Sequence, residues 1–208
     1  MIEGESGTER VMPPIHLARR DQRREIAAML ARAFFNDPVV CWIFPDAALR
    51  AKRLPRMFGM LFDGDAANGM RLVTPECDAA TLWRAPGAAR TGLSEMIRSA
   101  IPMLTIFGSG IGRAVAVSDA IDAHMPSGDF WYLHIAGCDP AAQGRGLGGL
   151  AVRAGIERAA DGRFPTYLEC PLEKNLSFYH GLGFKVTSEW DIPRGGPRFW
   201  SMLRPATA

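Results

Sequence analysis

The feature that most constrains this chain is the run Gln143-Gly144-Arg145-Gly146-Leu147-Gly148-Gly149, which lies between two different kinds of segment. Before it, Phe130 to Cys138 is aromatic and aliphatic without a helical period, as expected of a buried strand. After it, Gly146 to Arg158 reads as a helix through Leu147, Leu150, Ala154 and Ile156, stopped by Asp161-Gly162. Glycines let a backbone approach a ligand closely, and the first amides of a helix have no intrahelical acceptor. A strand, a glycine loop and a helix start therefore form an anion site, with a pyrophosphate as a natural occupant. Tight packing alone is a poor account of the loop, because each glycine loses more backbone entropy on folding than alanine would.

Two motif templates fit the loop and imply different ligands. Gly144, Gly146 and Gly149 satisfy the dinucleotide-binding G-x-G-x-x-G, and Glu169 follows 20 residues later at a strand end. Against this template, the motif begins five residues past the strand, and too few strand-helix units follow to complete a dinucleotide fold. The second template is Gln/Arg-x-x-Gly-x-Gly/Ala, met by Gln143, Gly146 and Gly148.

The rest of the chain fits a single mixed α/β domain over residues 1–208. Val11 to Leu17 reads as an edge strand. A helix opens at Asp21, carries Ile26, Met29, Leu30, Ala33 and Phe34 on one face, and stops at Asn36-Asp37-Pro38. A second helix starts at Pro45-Asp46 and ends at Asp63-Gly64-Asp65. Met70–Thr74 and Ala79–Arg84 read as a hairpin, and Ser94–Phe107 with Arg113–Ala123 as a bent helical connector. Thr166–Cys170 is a strand, Asn175–His180 a short helix ending at Gly181, and Lys185–Asp191 pairs with Arg198–Leu203.

The net charge of +2 gives no basic field, so no nucleic-acid partner is expected. No uninterrupted apolar run approaches a membrane span, and the start MIEGESGTER lacks the basic-then-apolar order of a signal peptide, so a cytoplasmic location without a membrane partner is expected. Cys41, Cys77, Cys138 and Cys170 are too scattered for a zinc or dithiol motif, His16, His124 and His180 have no ligand spacing, and no metal is expected.

The order and spacing of Trp131-Tyr132-Leu133-His134-Ile135-Ala136-Gly137-Cys138-Asp139-Pro140, the glycine loop, Leu168-Glu169-Cys170, Asn175-Leu176-Ser177-Phe178-Tyr179 and Gly183-Phe184 resemble the GCN5-related N-acetyltransferase (GNAT) superfamily. Ala31 to Asp46 is most similar to its puromycin N-acetyltransferase-like branch. The resemblance implies a central, mostly antiparallel twisted sheet flanked by helices and splayed around the cofactor-binding strand. The cofactor-binding core would span about residues 129–204 and the acceptor-side helices about 20–66.

It further implies acetyl-CoA, as co-substrate, on the loop residues Gln143, Gly144, Arg145, Gly146, Leu147, Gly148 and Gly149. The pantetheine arm would run along the strand at Ile135, Gly137 and Cys138, with a bulge at Gly137 freeing an N–H for the thioester oxygen. Tyr179 would protonate the departing thiolate, and Asn175 would lie near the cofactor thiol or cap its helix.

An alkylammonium of pKa about 10.4 needs roughly 4.6 kcal/mol to become a neutral nucleophile at pH 7. A base is therefore wanted, and Glu169 and His134 are the catalytic candidates beside Tyr179. The reading is an N-acetyltransferase that moves an acetyl group to a primary amine of a small molecule by direct attack, in a monomer or homodimer. A non-catalytic CoA-binding sensor with the same fold is the alternative, and a nucleotide-dependent oxidoreductase a third.

Overall fold

A computed structural model describes residues 12–159 and 163–206. Val11 and the Asp161-Gly162 stop lie outside the described residues. Seven strands, β1 (His16–Leu17), β2 (Gly69–Val73), β3 (Ala79–Arg84), β4 (Trp131–Cys138), β5 (Thr166–Cys170), β6 (Lys185–Asp191) and β7 (Arg198–Arg204), form one sheet in the order β1-β2-β3-β4-β5-β7-β6. Every neighbouring pair is antiparallel except β4 and β5. Those two run parallel and pair only at Trp131–Thr166 and Tyr132–Tyr167. Beyond Tyr132 they part, and the sheet opens into a gap edged by Leu133–Cys138 on one side and Leu168–Cys170 on the other. This is the splayed, mostly antiparallel sheet that the sequence leads one to expect.

The strands alternate sides because successive side chains point to opposite faces of a sheet. From β3, Leu82 and Ala80 pack with α1 (Arg23–Ala33), α2 (Pro38–Ile43) and α3 (Ala47–Asn68). Trp83 faces the other way, with Leu133, Leu168, Cys170 and Met202, against Val152 and Ile156 of α6 (Leu147–Ala159). The site lies between these two layers.

The helix boundaries differ from the sequence reading at three places, each for a local reason. Asp21 does not cap α1; its carboxylate pairs with Arg19 instead, and a 3-10 turn at Arg20–Gln22 leads into the helix. Helix α1 ends at Ala33, before Asp37-Pro38, and that pair begins α2, because the Asp37 carboxylate accepts from the amides of Val39 and Val40 at 2.9 and 3.2 Å and Pro38 occupies the first turn, where no N–H is needed. Helix α3 does not stop at Asp63-Gly64-Asp65 but runs on to Asn68, which carries Asp65 inward to complete burial.

The connector forms α4 (Leu93–Phe107) and α5 (Ile111–His124), separated by a 3-10 turn at Gly108–Gly110. It is more apolar than the sequence reading supposed: Ser94–His124 is long and apolar enough to cross a membrane by length and composition. It is bent into two pieces of 15 and 14 residues. Met96, Ile97, Ile101 and Leu104 of α4 face outward.

Candidate functional site

The gap between β4 and β5 is prepared by a bulge in β4. Trp83 pairs with Leu133 and Leu82 with Ile135, so one residue of β3 is matched by two of β4 and His134 is the extra one. The expected bulge at Gly137 is therefore displaced by three residues. Gly137 keeps regular pairing with Ala80, and its lack of a side chain serves packing instead: a Cβ there would sit 2.4 Å from Leu30 Cδ2 and 3.1 Å from the Phe34 ring of the α1 layer. Ile135 points into the α1–α3 layer and Ala136 into the α6 layer, so the bulge also resets which face each later residue of β4 presents.

The glycine loop begins where β4 ends. Arg32 of α1 pairs with Asp139, whose other oxygen accepts from the Ala141 amide at 3.0 Å, and Gln143 Nε2 donates to the Cys138 carbonyl at 3.3 Å. Gly144 and Gly146 have φ of +76° and +81°, the left-handed region that costs any residue with a Cβ. Gly148 and Gly149 lie inside the first turn of α6, with ordinary backbone angles. The first closure of the helix, Leu150 N–H to Gly146 C=O at 3.0 Å, leaves the amides of Leu147, Gly148 and Gly149 without helical acceptors. The Gly148 amide lies near the Cys138 sulfur, and Leu147 and Gly149 complete the helix start. Arg145 extends from this loop, with Asp78 at 3.7 Å. The arrangement fits a phosphate group, through backbone donors, the helix dipole and one exposed cation.

On the α6 side of the gap stands Tyr179, from α7 (Leu176–His180), half-buried among the residues around Cys170 and Phe184. Its ring packs edge-on to Phe178 at 5.0 Å and to Phe184 at 5.9 Å. Burial, with Cys170 nearby, raises its pKa well above the usual phenol value, so the hydroxyl keeps its proton. Asn175 sits at the N-terminal cap position of α7 but makes no side-chain cap bond, which corrects its reading as a cap and leaves its amide uncommitted. Burial also raises the thiols of Cys138 and, to about 11, Cys170, so neither carries an appreciable thiolate near neutral pH.

The opposite side of the gap holds a cluster that the sequence reading only half identified. His134 Nδ1 lies 2.8 Å from Asp65 Oδ2. Asp65 Oδ1 accepts from Arg84 Nε at 2.7 Å, and Arg84 in turn reaches both oxygens of Glu95 on α4, at 2.7 and 3.2 Å. Asn68 adds a bond to Glu95 at 3.2 Å. Asp65 is fully buried and Arg84 nearly so. Burial disfavours the Arg84 cation, and the two carboxylates more than offset it, so its pKa rises. Nothing in the sequence flags Asp65 or Glu95 as partners of a histidine 69 and an arginine 11 positions away.

The Tyr132 ring stacks on His134 at 5.3 Å, and beyond it lies Glu169 of β5. Glu169 Oε1 is buried without a hydrogen-bond partner. Burial pushes this carboxyl up to about 7, against the opposing pull of the Tyr132 and Tyr167 hydroxyls. Because its folded pKa lies above the ordinary 4.5, the folded chain holds a proton that the unfolded chain has already released. Its contribution to stability is therefore full below about 4.5 and is lost as pH rises towards 7. Glu169→Gln is accordingly expected to flatten the decline of the urea midpoint between pH 5 and 7.5; an unchanged slope would show that Glu169 is solvated and ionised throughout.

Among the described residues no group of three or more His, Cys, Asp or Glu side chains is placed to hold a metal ion. No protein-family model matches the chain. Its fold does match solved structures. Histone acetyltransferase HPA2 and related acetyltransferase from Corynebacterium glutamicum superposes with a TM-score of 0.74 at 22% identity, covering 94% of this chain and 97% of that one. The Drosophila melanogaster polyamine N-acetyltransferase, which forms N-acetylagmatine, gives 0.60 at 16% identity over 92% of this chain and 99% of its own. Arylalkylamine N-acetyltransferase 2 from Aedes aegypti gives 0.61 at 11% identity, covering 93% and 99%. The chain has the fold of the GNAT acetyltransferases.

Proposed function

We propose that this chain is an acetyl-CoA-dependent N-acetyltransferase of the GNAT superfamily that acylates a primary amine of a small molecule. The observation that carries the reading is the opening of the β4–β5 gap onto the amide-lined start of α6, with a protonated phenol, Tyr179, on one side and an imidazole, His134, on the other. The structural neighbours that act on polyamines and arylalkylamines support a small amine as acceptor. Ala31 to Asp46, which forms the end of α1 and all of α2, supports a place near the puromycin N-acetyltransferase-like branch. The four free cysteines suit a reducing cytoplasm, and a monomer or homodimer completes the reading.

The chain's own residues would act as follows. The amides of Leu147 and Gly149, with Arg145, hold the pyrophosphate of the co-substrate, and Gly144 and Gly146 supply the backbone turn that brings them there. The free edge of β4 at Ile135–Cys138 pairs with the pantetheine amides as a neighbouring strand would. Asn175 lies on the same side as Tyr179 and orients the arm near its thiol. An amine entering from the α1–α3 side gives up its proton to the His134–Glu169 side of the gap and attacks the thioester. Tyr179 then donates its proton to the departing sulfur. A cysteine-linked acyl intermediate is disfavoured, because the Cys138 and Cys170 thiols are held protonated. The test is turnover: release of free CoA that requires both acetyl-CoA and an amine supports the reading, and no release across a broad panel of amines refutes it.

A further inference from the structure

Of the two carboxylates nearest His134, Glu169 lies across the tyrosines, whereas Asp65 touches the ring directly. That contact has the form of an orienting bond. Nδ1 of His134 is engaged by a carboxylate that is itself fully buried, and Nε2 has no partner among the described residues. A carboxylate at Nδ1 favours the tautomer with its proton there, which leaves the Nε2 lone pair available. The ring is 19% exposed, so that nitrogen is not sealed off from the gap.

A carboxylate bonded through one oxygen alone could turn away from the ring. Arg84 prevents this by bonding the other Asp65 oxygen at 2.7 Å. Arg84 is in turn fixed by both oxygens of Glu95, and Glu95 by Asn68. These four residues come from α3, β3 and α4, so the orientation of His134 is set by three elements that otherwise carry none of the proposed chemistry.

We infer that Asp65 is the positioning residue of the transfer step, holding His134 with its proton on Nδ1 so that Nε2 accepts the proton of the acceptor ammonium, and that the Arg84–Glu95 pair keeps the Asp65 carboxylate turned towards the ring for this task. The inference rests on the acetyltransferase reading above. In the step, the ammonium N–H bond breaks and its proton passes to Nε2, making an imidazolium paired with Asp65. The freed amine lone pair forms the C–N bond, the C–S bond breaks towards sulfur, and the Tyr179 proton goes to the sulfur. The new amide nitrogen still carries one proton too many and gives it up through water to the Tyr179 phenolate, and the imidazolium returns its own proton to solvent.

The experiment uses the full chain labelled with 15N-histidine. The chain has four histidines, and the His134 signals are assigned by their absence in His134→Gln. In the wild type, the neutral ring is expected to carry its proton on Nδ1. In Asp65→Asn, where the side-chain amide can donate to Nδ1, the proton is expected to move to Nε2. With a working amine, kcat of Asp65→Asn falls about 100-fold with KM nearly unchanged, the scale of a lost general base. Asp65→Glu, which keeps the carboxylate, is expected to recover part of that loss. A wild-type His134 found with its neutral proton on Nε2 overturns the inference even if the variants fail to fold. A folded Asp65→Asn with undiminished kcat overturns it as well, while leaving the acetyltransferase reading intact. If the wild type acetylates no amine, that reading falls, and the tautomer result still stands by itself.

Discussion

Replacing Tyr179 by Phe is expected to lower kcat by about 100-fold, the usual scale for a positioned acid, with the affinity for acetyl-CoA kept within about twofold. The ring is held by its edges, against Phe178 and Phe184, and the phenylalanine ring keeps those contacts. Only the hydroxyl is removed, and no hydrogen bond within the described residues depends on it. The loss therefore falls on the step in which sulfur departs with a negative charge. On this reading binding is untouched, because the pyrophosphate would be held at the start of α6 and the arm along β4. Steady-state kinetics with a competent amine, together with calorimetric titration of acetyl-CoA, measure the two effects separately. A variant that binds and turns over like the wild type would remove Tyr179 from the chemistry and favour water as the acid. It would also revive the reading of the chain as a CoA sensor if the wild type itself proved inert.

The second large effect concerns the joint between α6 and the sheet. Trp83 is fully buried, its indole N–H donates to Thr81 Oγ1 at 2.9 Å, and its ring lies where Gly155 of α6 has no side chain. A Cβ on Gly155 would come within 2.2 Å of the ring. The helix that presents the loop amides is thus seated on one indole through one glycine. Trp83→Ala is expected to cost about 3–5 kcal/mol, since it removes a fully buried aromatic and leaves a cavity that a rigid helix backbone cannot fill. For a domain of this size the midpoint falls by roughly 6–20 °C. Adding Gly155→Ala to Trp83→Ala is expected to cost less than Gly155→Ala in the wild type, because the space is then vacant. A loss below about 1 kcal/mol for Trp83→Ala would mean that α6 is seated by other contacts.

The loop and the strand before it were legible because their signals are local: glycines at fixed spacing, an aperiodic apolar run, and a helix that starts at once. The hairpin of β2 and β3 and the pairing of β6 with β7 were legible for the same reason. Asp37-Pro38 shows where local signals become ambiguous, since the pair reads as the stop of one helix but caps the next, α1 having already ended at Ala33. Asp63-Gly64-Asp65 reads as a turn by composition, yet Asp65 is spent on Arg84 and His134, partners that only the tertiary fold supplies. The bulge is a further case. A glycine in a strand suggests one, but Gly137 is small to admit Leu30 and Phe34, and the irregularity falls at His134. The candidate site was therefore legible at the glycine loop, whose shape is set by backbone. It was not legible at the His134 cluster, where side chains from α3, β3, α4, β4 and β5 meet.

The most direct test of the central claim is a rapid-quench reaction of the purified chain with labelled acetyl-CoA, with and without a panel of polyamines and arylalkylamines. The account predicts that acetylated amine and free CoA form in equal amounts only when both substrates are present, and that no label remains on the protein when the amine is left out. Label retained on a cysteine with acetyl-CoA alone would contradict direct transfer, and no acetylated product from any amine would contradict the acetyltransferase assignment itself.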